Sequence, residues 1–310
     1  MFVVHRAAEG SVLAEGLADV LRPAPDDAFA CEVVAVPAKG VERWLAQRLS
    51  HVLGSARVAD GVCANVRFPA VTTLVDEVLE RVAPPEAIAT WRPERLVWPL
   101  LDEIDACGAT EPWCAPLARH LGSGDGDKGR RLRTASKLAR LFDSYAQSRP
   151  QMLQAWAAGK DEQGDGRALD DDVAWQAELW RRLRARVAHP STAELLDEAC
   201  ARIRMDAVDV ALPARLSVFG ASRLSRARLQ VLAALAEHRD VHLWLHHASP
   251  ALWNTVAAAP PATRRAADTS GPPTQPAADL ALPRRARAAA AAVSAGPGRA
   301  GPAPPEPPGA

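Results

Sequence analysis

The sequence predicts an α/β fold: a parallel-sheet domain interrupted by a large all-helical block and followed by a disordered carboxyl-terminal tail. Three observations carry this expectation. Three strand–loop–helix units follow one another within residues 1–83, the order that builds parallel sheets. Residues 84–210 then show helical periodicity, and strand–helix–strand spacing returns over 211–256. The simplest topology makes 1–83 and 211–256 one domain, with 84–210 inserted into it.

The apolar residues Phe2–Val4 suit a short buried strand. Leu13, Leu17, Val20 and Leu21 recur at helical spacing up to Arg22-Pro23, where the proline disfavours helix for the residue before it. Residues 24–32 read as loop. "VVAVP" (33–37) is a second buried strand closed by Pro37. Val41, Trp44, Leu45, Leu49, Val52 and Leu53 then make one apolar helix face, with Arg43, Gln47, Arg48 and Ser50 off it. On that stripe, Trp44 is expected in the core. "ANVRFPAVTTLVDEVLERV" (64–82) is extended as far as Phe68-Pro69 and helical from about Thr72.

Four runs carry the helical block: "PERLVWPLLDEI", "RRLRTASKLARLFDSYAQ", "DVAWQAELWRRLRARV" and "STAELLDEACARI". Ser191 and Glu194 have the spacing of a capping box at the start of the last. "ARLSVFGAS" is a strand ending at Gly220, "RLSRARLQVLAALAEHR" a helix, and "DVHLWLHHASP" a strand. From 257 onward the pattern collapses. Residues 260–310 hold 12 of the 26 prolines and almost no large apolar side chain, so 257–310 is expected to be disordered. That Ala/Pro/Arg/Gly mixture is what out-of-frame translation of GC-rich DNA yields. The ordered part is therefore expected to be the front of a longer protein.

At 310 residues the chain can bury a sizeable core. Apolar residues make up 48% and charged residues 24%, ordinary for a soluble protein. Acidic and basic residues balance at 37 each, so any nucleic-acid surface must be a local patch. Five scattered cysteines without a C-x-x-C argue against a disulfide framework and a cysteine zinc site. The apolar start breaks after four residues, and no run reaches membrane-spanning length, which points to the cytoplasm and away from a membrane partner. In "HLWLHH", His242 and His246 stand too far apart along a strand to share one zinc.

A nucleoside-triphosphate site needs a glycine-rich loop ending in Lys-Ser/Thr after a strand, so that several backbone N–H groups wrap the phosphates. "PAKGVERW" is too short for that cradle and offers no hydroxyl for magnesium. The first strand–helix turn has Gly10 and Ser11 but Glu9 where a lysine should stand. "GSGDGDKGR" (122–130) follows a helix and brings two aspartates, and the strand "LSVFGAS" ends without a metal-binding acid. This chain is expected to hydrolyse no ATP.

"VVAVPAKGVERWLAQRL", "ANVRFPAVTTLVDEVL", "KLARLFDSYAQSRPQMLQAW", "AWQAELWRRL" and "LSVFGASRLSRARLQVLAALAEHRDVHLWL" stand in order and at matching intervals. Together they resemble the amino-terminal part of the RecC-type gamma subunits of exodeoxyribonuclease V, over about residues 1–256. The resemblance implies a superfamily 1 helicase-like α/β domain whose ATP-site residues have decayed. It also implies a non-catalytic role in a helicase–nuclease that processes DNA double-strand ends for recombination repair. RecB- and RecD-type partner subunits would carry the ATP and Mg2+, with single-stranded DNA and duplex ends as substrate. No cofactor and no activity are expected of this chain alone.

By the same resemblance, the loops after the second and third strands contact single-stranded DNA, which singles out Lys39, Gly40, Arg43, Phe68 and Thr72. Lys39 and Arg43 replace the uncharged polar side chains of members that read a recombination signal, and Asp76 stands where an aromatic can stand. Backbone contact survives such changes better than base reading. Lys39 and Arg43 also lie one turn apart at a helix start, where N–H groups favour phosphate. Phe68 before a proline suits stacking on a base and equally a core plug. Lys128, Arg130, Arg131, Arg133, Lys137 and Arg140 are the densest basic run of the ordered region. Arg130, Arg133, Lys137 and Arg140 share one helix face, which suits a phosphate track and equally an ordinary solvated face. Two other classes stay open on the residues: an adaptor binding only proteins, and a stand-alone ATP-dependent helicase or nuclease. The missing phosphate loop counts against the latter.

Overall fold

The computed structural model describes residues 1–23, 29–53, 61–107, 111–121, 128–205, 210–247 and 249–258. Three strand–helix units open the chain: β1 (Phe2–Ala7) with α1 (Gly10–Leu21), β2 (Glu32–Ala35) with α2 (Lys39–Ser50), and β3 (Val66–Arg67) with α3 (Val71–Val82). The helical block runs through α4 (Pro85–Thr90), α5 (Pro93–Cys107), a 3-10 turn at Pro112–Cys114, α6 (Ala115–Leu121), α7 (Lys128–Ser148), α8 (Pro150–Ala157), α9 (Ala174–Val187) and α10 (Thr192–Arg204). β4 (Arg215–Phe219), α11 (Arg226–Leu235), β5 (Asp240–His246) and α12 (Pro250–Ala258) follow. Apart from Ala257 and Ala258, which end α12, the stretch expected to be disordered lies outside the described residues.

The five strands form one parallel sheet in the order β1-β5-β4-β2-β3. Helices cover both faces, as the continuous apolar runs of the inner strands require. On one face Leu13 and Leu17 of α1 and Leu45 and Leu49 of α2 bury Val34, Val36, Phe219 and Trp244. On the other, α3, α10 and α11 bury Val33, Leu216, Val218 and Val241. Neighbours Val33 and Val34 thus serve opposite cores, as the two-residue period of a strand dictates. The close approach of α1 to β5 depends on Gly16, where a Cβ would stand 2.9 Å from Cζ3 of Trp244. The Trp244 indole donates to Ser217 Oγ at 3.2 Å, so its buried N–H is satisfied.

The helical block has its own core around Trp91, Leu100, Phe142, Trp156 and Trp180. Trp156 and Trp180 meet edge to face, with centroids 6.2 Å apart. Cys107 and Cys114 lie in this core with sulfurs 3.3 Å apart. Burial, and the hydrogen bond to Cys114, push the Cys107 thiol up to about 12. These are packing thiols rather than nucleophiles.

The capping box is present: Ser191 Oγ accepts from the Glu194 N–H at 3.3 Å, and the Glu194 carboxylate accepts from the Ser191 N–H at 2.6 Å. Two expectations need correction. β1 runs to Ala7 rather than Val4, because parallel pairing to β5 continues to Ala7–His246 despite the polar His5 and Arg6. Trp44 is not in the core but 38% exposed, since α2 buries Leu45 and Leu49 and turns the indole toward the start of α1. Among the described residues, no helix is long and apolar enough to cross a membrane.

Candidate nucleic-acid interface

The loops leaving β2 and β3 lie side by side at the carboxyl edge of the sheet, where ligands of open α/β sheets bind. The Val36 N–H donates to the Pro69 carbonyl at 2.9 Å, and Val36 forms a bridge with Ala70. That clamp sets the starts of α2 and α3 beside each other. Their N-cap residues are Ala38 and Ala70, neither with a side chain able to cap. The Val41 N–H donates to the Ala38 carbonyl at 3.0 Å, while the N–H groups of Lys39 and Gly40 in α2 and of Thr72 and Thr73 in α3 are left for solvent or a ligand anion.

Lys39 opens α2 with its side chain 89% exposed, and pairs with Glu42 at 3.1 Å. An exposed pair of that kind is worth little, so the ammonium is readily given up to a phosphate. Arg43 is exposed and has no ion pair or hydrogen bond among the described residues. A Cβ at Gly40 would meet nothing, so the helix start is open there. Phe68 is half-buried against the cluster that holds Leu45 and Leu49, which makes it a support for α2.

Thr72 is exposed in the first turn of α3 and lines a cleft of about 520 Å³ between α3 and the helices α7 and α11. Thr73, Asp76, Arg92, Asp143 and Arg228 share the lining. Burial pushes the Asp76 carboxyl above the usual range, against the pull of Arg228 and Arg92. Asp143 is raised likewise by burial, with Arg228 opposing. Glu77, Glu80 and Glu94 line it as well, so the cleft is polar with an excess of carboxyl groups over its two arginines, suited to hydrogen bonding rather than to holding a phosphate by charge.

The basic face of α7 leads to the same cleft. Lys128 opens the helix, and its side chain lies outside the described residues. Arg130, Arg131, Arg133, Lys137 and Arg140 are all exposed, and Arg131 is tied to Asp105 at 3.0 Å. Lys137 and Arg140 carry no ion pair among the described residues. The i, i+3, i+4 spacing of Arg133, Lys137 and Arg140 continues to Gln147, which lines the cleft. From Arg130 to Gln147 the stripe rises roughly 25 Å at the α-helical step.

Of the predicted residues Thr72 lines the cleft, and the α2 start neighbours the α3 start through Val36–Pro69; the predicted basic run of α7 does not line it, and α7 reaches the cleft only beyond that run, at Asp143 and Gln147. Sequence reasoning missed Asp143, Gln147 and Arg228. The first two were legible as the continuation of the α7 stripe; Arg228 comes from a distant segment that only folding brings near.

At the turn after β1, Glu9 stands at the start of α1 and accepts from Ser11 Oγ at 3.3 Å. A Cβ at neighbouring Gly10 would lie 3.7 Å from the Trp44 ring. His242 Nδ1 lies 3.0 Å from His5 Nε2 on β1, a pairing across strands that spacing along one strand could not reveal. Burial and the mutual proximity of the rings hold His5 below its usual range.

The family model described as RecC, N-terminal domain, matches residues 2–275. The chain is 45% identical over 262 residues to the RecBCD enzyme subunit RecC of Mycobacterium tuberculosis (strain ATCC 25618 / H37Rv), covering 82% of this chain and 23% of that protein. It is 43% identical over 274 residues to the corresponding subunit of Mycolicibacterium smegmatis, covering 86% and 23%. For the Escherichia coli (strain K12) subunit, identity is 29% over 246 residues, covering 74% and 20%. The chain thus spans less than a quarter of the length of these curated relatives.

Proposed function

The chain belongs to the RecC N-terminal domain family, and on that premise we propose that it is a non-catalytic, single-stranded DNA-binding part of a helicase–nuclease that processes DNA double-strand ends for recombination repair. In this reading the parallel sheet is a motor-like scaffold of the superfamily 1 helicase kind that no longer turns over nucleotide. The sheet domain and the inserted helices act together, the first holding the strand and the second guiding it. ATP and Mg2+ belong to RecB- and RecD-type partners.

The observation that carries the proposal is the pairing of two helix starts, at Lys39 and Val71, neither capped by a side chain, beside a cleft fed by the basic face of α7. Backbone N–H groups and mobile cations bind phosphates without regard to sequence. Thr72, Thr73 and the cleft carboxylates add hydrogen-bonding groups that a base edge can meet. Glu9 at the α1 start opposes nucleotide phosphates, in keeping with a role that needs no fuel.

Filter binding of labelled single-stranded DNA at two salt concentrations tests this. The proposal expects binding that weakens with salt, by about 0.7 in log–log slope for each phosphate contacted, with no ATP turnover. An absence of binding at low salt would favour the protein-only adaptor.

A further inference from the structure

In the parallel ladder between β1 and β5, His5 stands in register with Trp244 and Val3 with His242. Trp244 belongs to the core beneath α1, so His5 and His242 project on that face too. Their rings meet there, with His5 Nε2 3.0 Å from His242 Nδ1. Among the described residues this is the one side-chain hydrogen bond that joins the two strands. The His5 ring also lies flat on Trp244, with centroids 3.7 Å and planes 8° apart, which fixes its orientation.

Two imidazole nitrogens this close share either a metal ion or a proton. A shared ion sits to one side of the line between them, where both lone pairs converge on it. The centroids of His5 and His242 are 5.3 Å apart and the ring planes 24° apart. That separation exceeds the 3.0 Å gap between the nitrogens by just the two ring radii. Both nitrogens therefore lie on the line joining the rings and point at each other, as an N–H···N hydrogen bond requires. Among the described residues no third metal-binding side chain joins the pair. The geometry selects the proton.

Such a bond needs one nitrogen with a proton and one without. In the neutral pair this is met by either ring donating. A first added proton goes to a nitrogen away from the contact and leaves a charge-assisted bond. A second would set two N–H groups and two positive charges against each other at 3.0 Å. We infer that His5 and His242 form a proton-sharing latch that ties β1 to β5 and lets go when both rings are protonated. This latch does not depend on DNA binding, and its test uses no DNA.

The surrounding charges leave that response in place. Burial holds both histidines below their usual range; on His242 the pull of Asp240 opposes it, while Arg215 of β4 and the Met1 ammonium add to it. From α1, Glu9 at its start, Glu15 and Asp19 are all exposed, and Asp19 pairs with Arg22 at 2.8 Å. His246, further along β5, is exposed, and Arg6 alternates to the opposite face of β1. A histidine with a lower pKa folded than unfolded takes its proton more readily when unfolded. Stability is then full above the unfolded value of about 6.5 and falls as pH drops through the folded value, staying constant below it.

Nuclear magnetic resonance on the 310-residue chain with 15N-labelled histidine tests the latch. A scalar coupling between His5 Nε2 and His242 Nδ1 through the shared proton is expected at neutral pH, lost on acidification. The two rings should titrate as a pair in two steps, the second well below about 6.5. Thermal and urea unfolding of the parent and of His242→Gln, which keeps a hydrogen-bonding group and cannot titrate, supply the second readout. Between pH 7 and pH 5 the folded-to-unfolded ratio should fall on the order of tenfold further in the parent than in the variant. Absence of the coupling at neutral pH, independent titration of both rings near 6.5, or the same pH dependence in parent and variant would each overturn the inference. So would stabilisation by added zinc that His242→Gln removes, since the pair would then hold an ion.

Discussion

The main-chain bond from Val36 to Pro69, 2.9 Å long, joins the two loops that launch α2 and α3. It turns two separate helix starts into one surface. Lys39 and Arg43 stand on one side of it and Thr72 on the other.

Replacing both Lys39 and Arg43 by Ala should therefore weaken single-stranded DNA binding without altering the fold. For every phosphate that no longer meets a cation, the salt dependence should fall by about 0.7 in slope. Binding titrations at several salt concentrations, with thermal melts as control, check this. An unchanged slope would show that neither side chain meets a phosphate.

The cleft predicts an unusual pH response. Burial raises both Asp76 and Asp143, and Arg228 only partly offsets it. A carboxyl with a higher pKa folded than unfolded binds its proton more tightly when folded. Its contribution to stability therefore falls as pH rises from the unfolded pKa through the raised one, and the penalty is constant above. Asp76→Asn should melt no lower than the parent at neutral pH, and the variant's advantage should shrink on acidification toward about pH 4. A variant that loses stability at neutral pH would show that Asp76 is held charged to a net benefit by Arg228.

Ser191 is buried and caps α10, whose apolar side chains lie beneath the sheet. Ser191→Ala should cost about 1 kcal/mol, read by urea denaturation. A change near zero would mean that water replaces the cap.

At Gly16 two effects compete. Alanine gains about 1 kcal/mol in helix propensity, but its Cβ would meet the buried Trp244 ring at 2.9 Å. Overpacking of this kind costs about 1–3 kcal/mol, so Gly16→Ala should be neutral to destabilising by about 2 kcal/mol. A clear stabilisation would show that α1 can shift away from β5.

Much of the sheet was legible in the sequence because each inner strand is an apolar run followed by a helix with a clean stripe. The Ser191–Glu194 cap was legible for the same local reason. Strand order was not, since pairing β1 with β5 joins residues some 240 positions apart, and no local period encodes that. Trp44 misled because its place on the apolar stripe says which way it leans, not whether α1 reaches far enough to cover it. For the site, the basic residues of α7 announced themselves by spacing. The cleft they lead to did not, because Asp76, Asp143 and Arg228 come from three separate segments.

The central claim is that one DNA strand runs along the carboxyl edge of the sheet, from the α7 stripe past the cleft to the start of α2. Hydrogen-exchange footprinting with bound single-stranded DNA tests it most directly. The account predicts simultaneous protection of residues 39–43, 71–73 and 130–140. Protection confined to the opposite edge of the sheet, around 210–215 and 236–240, would contradict it.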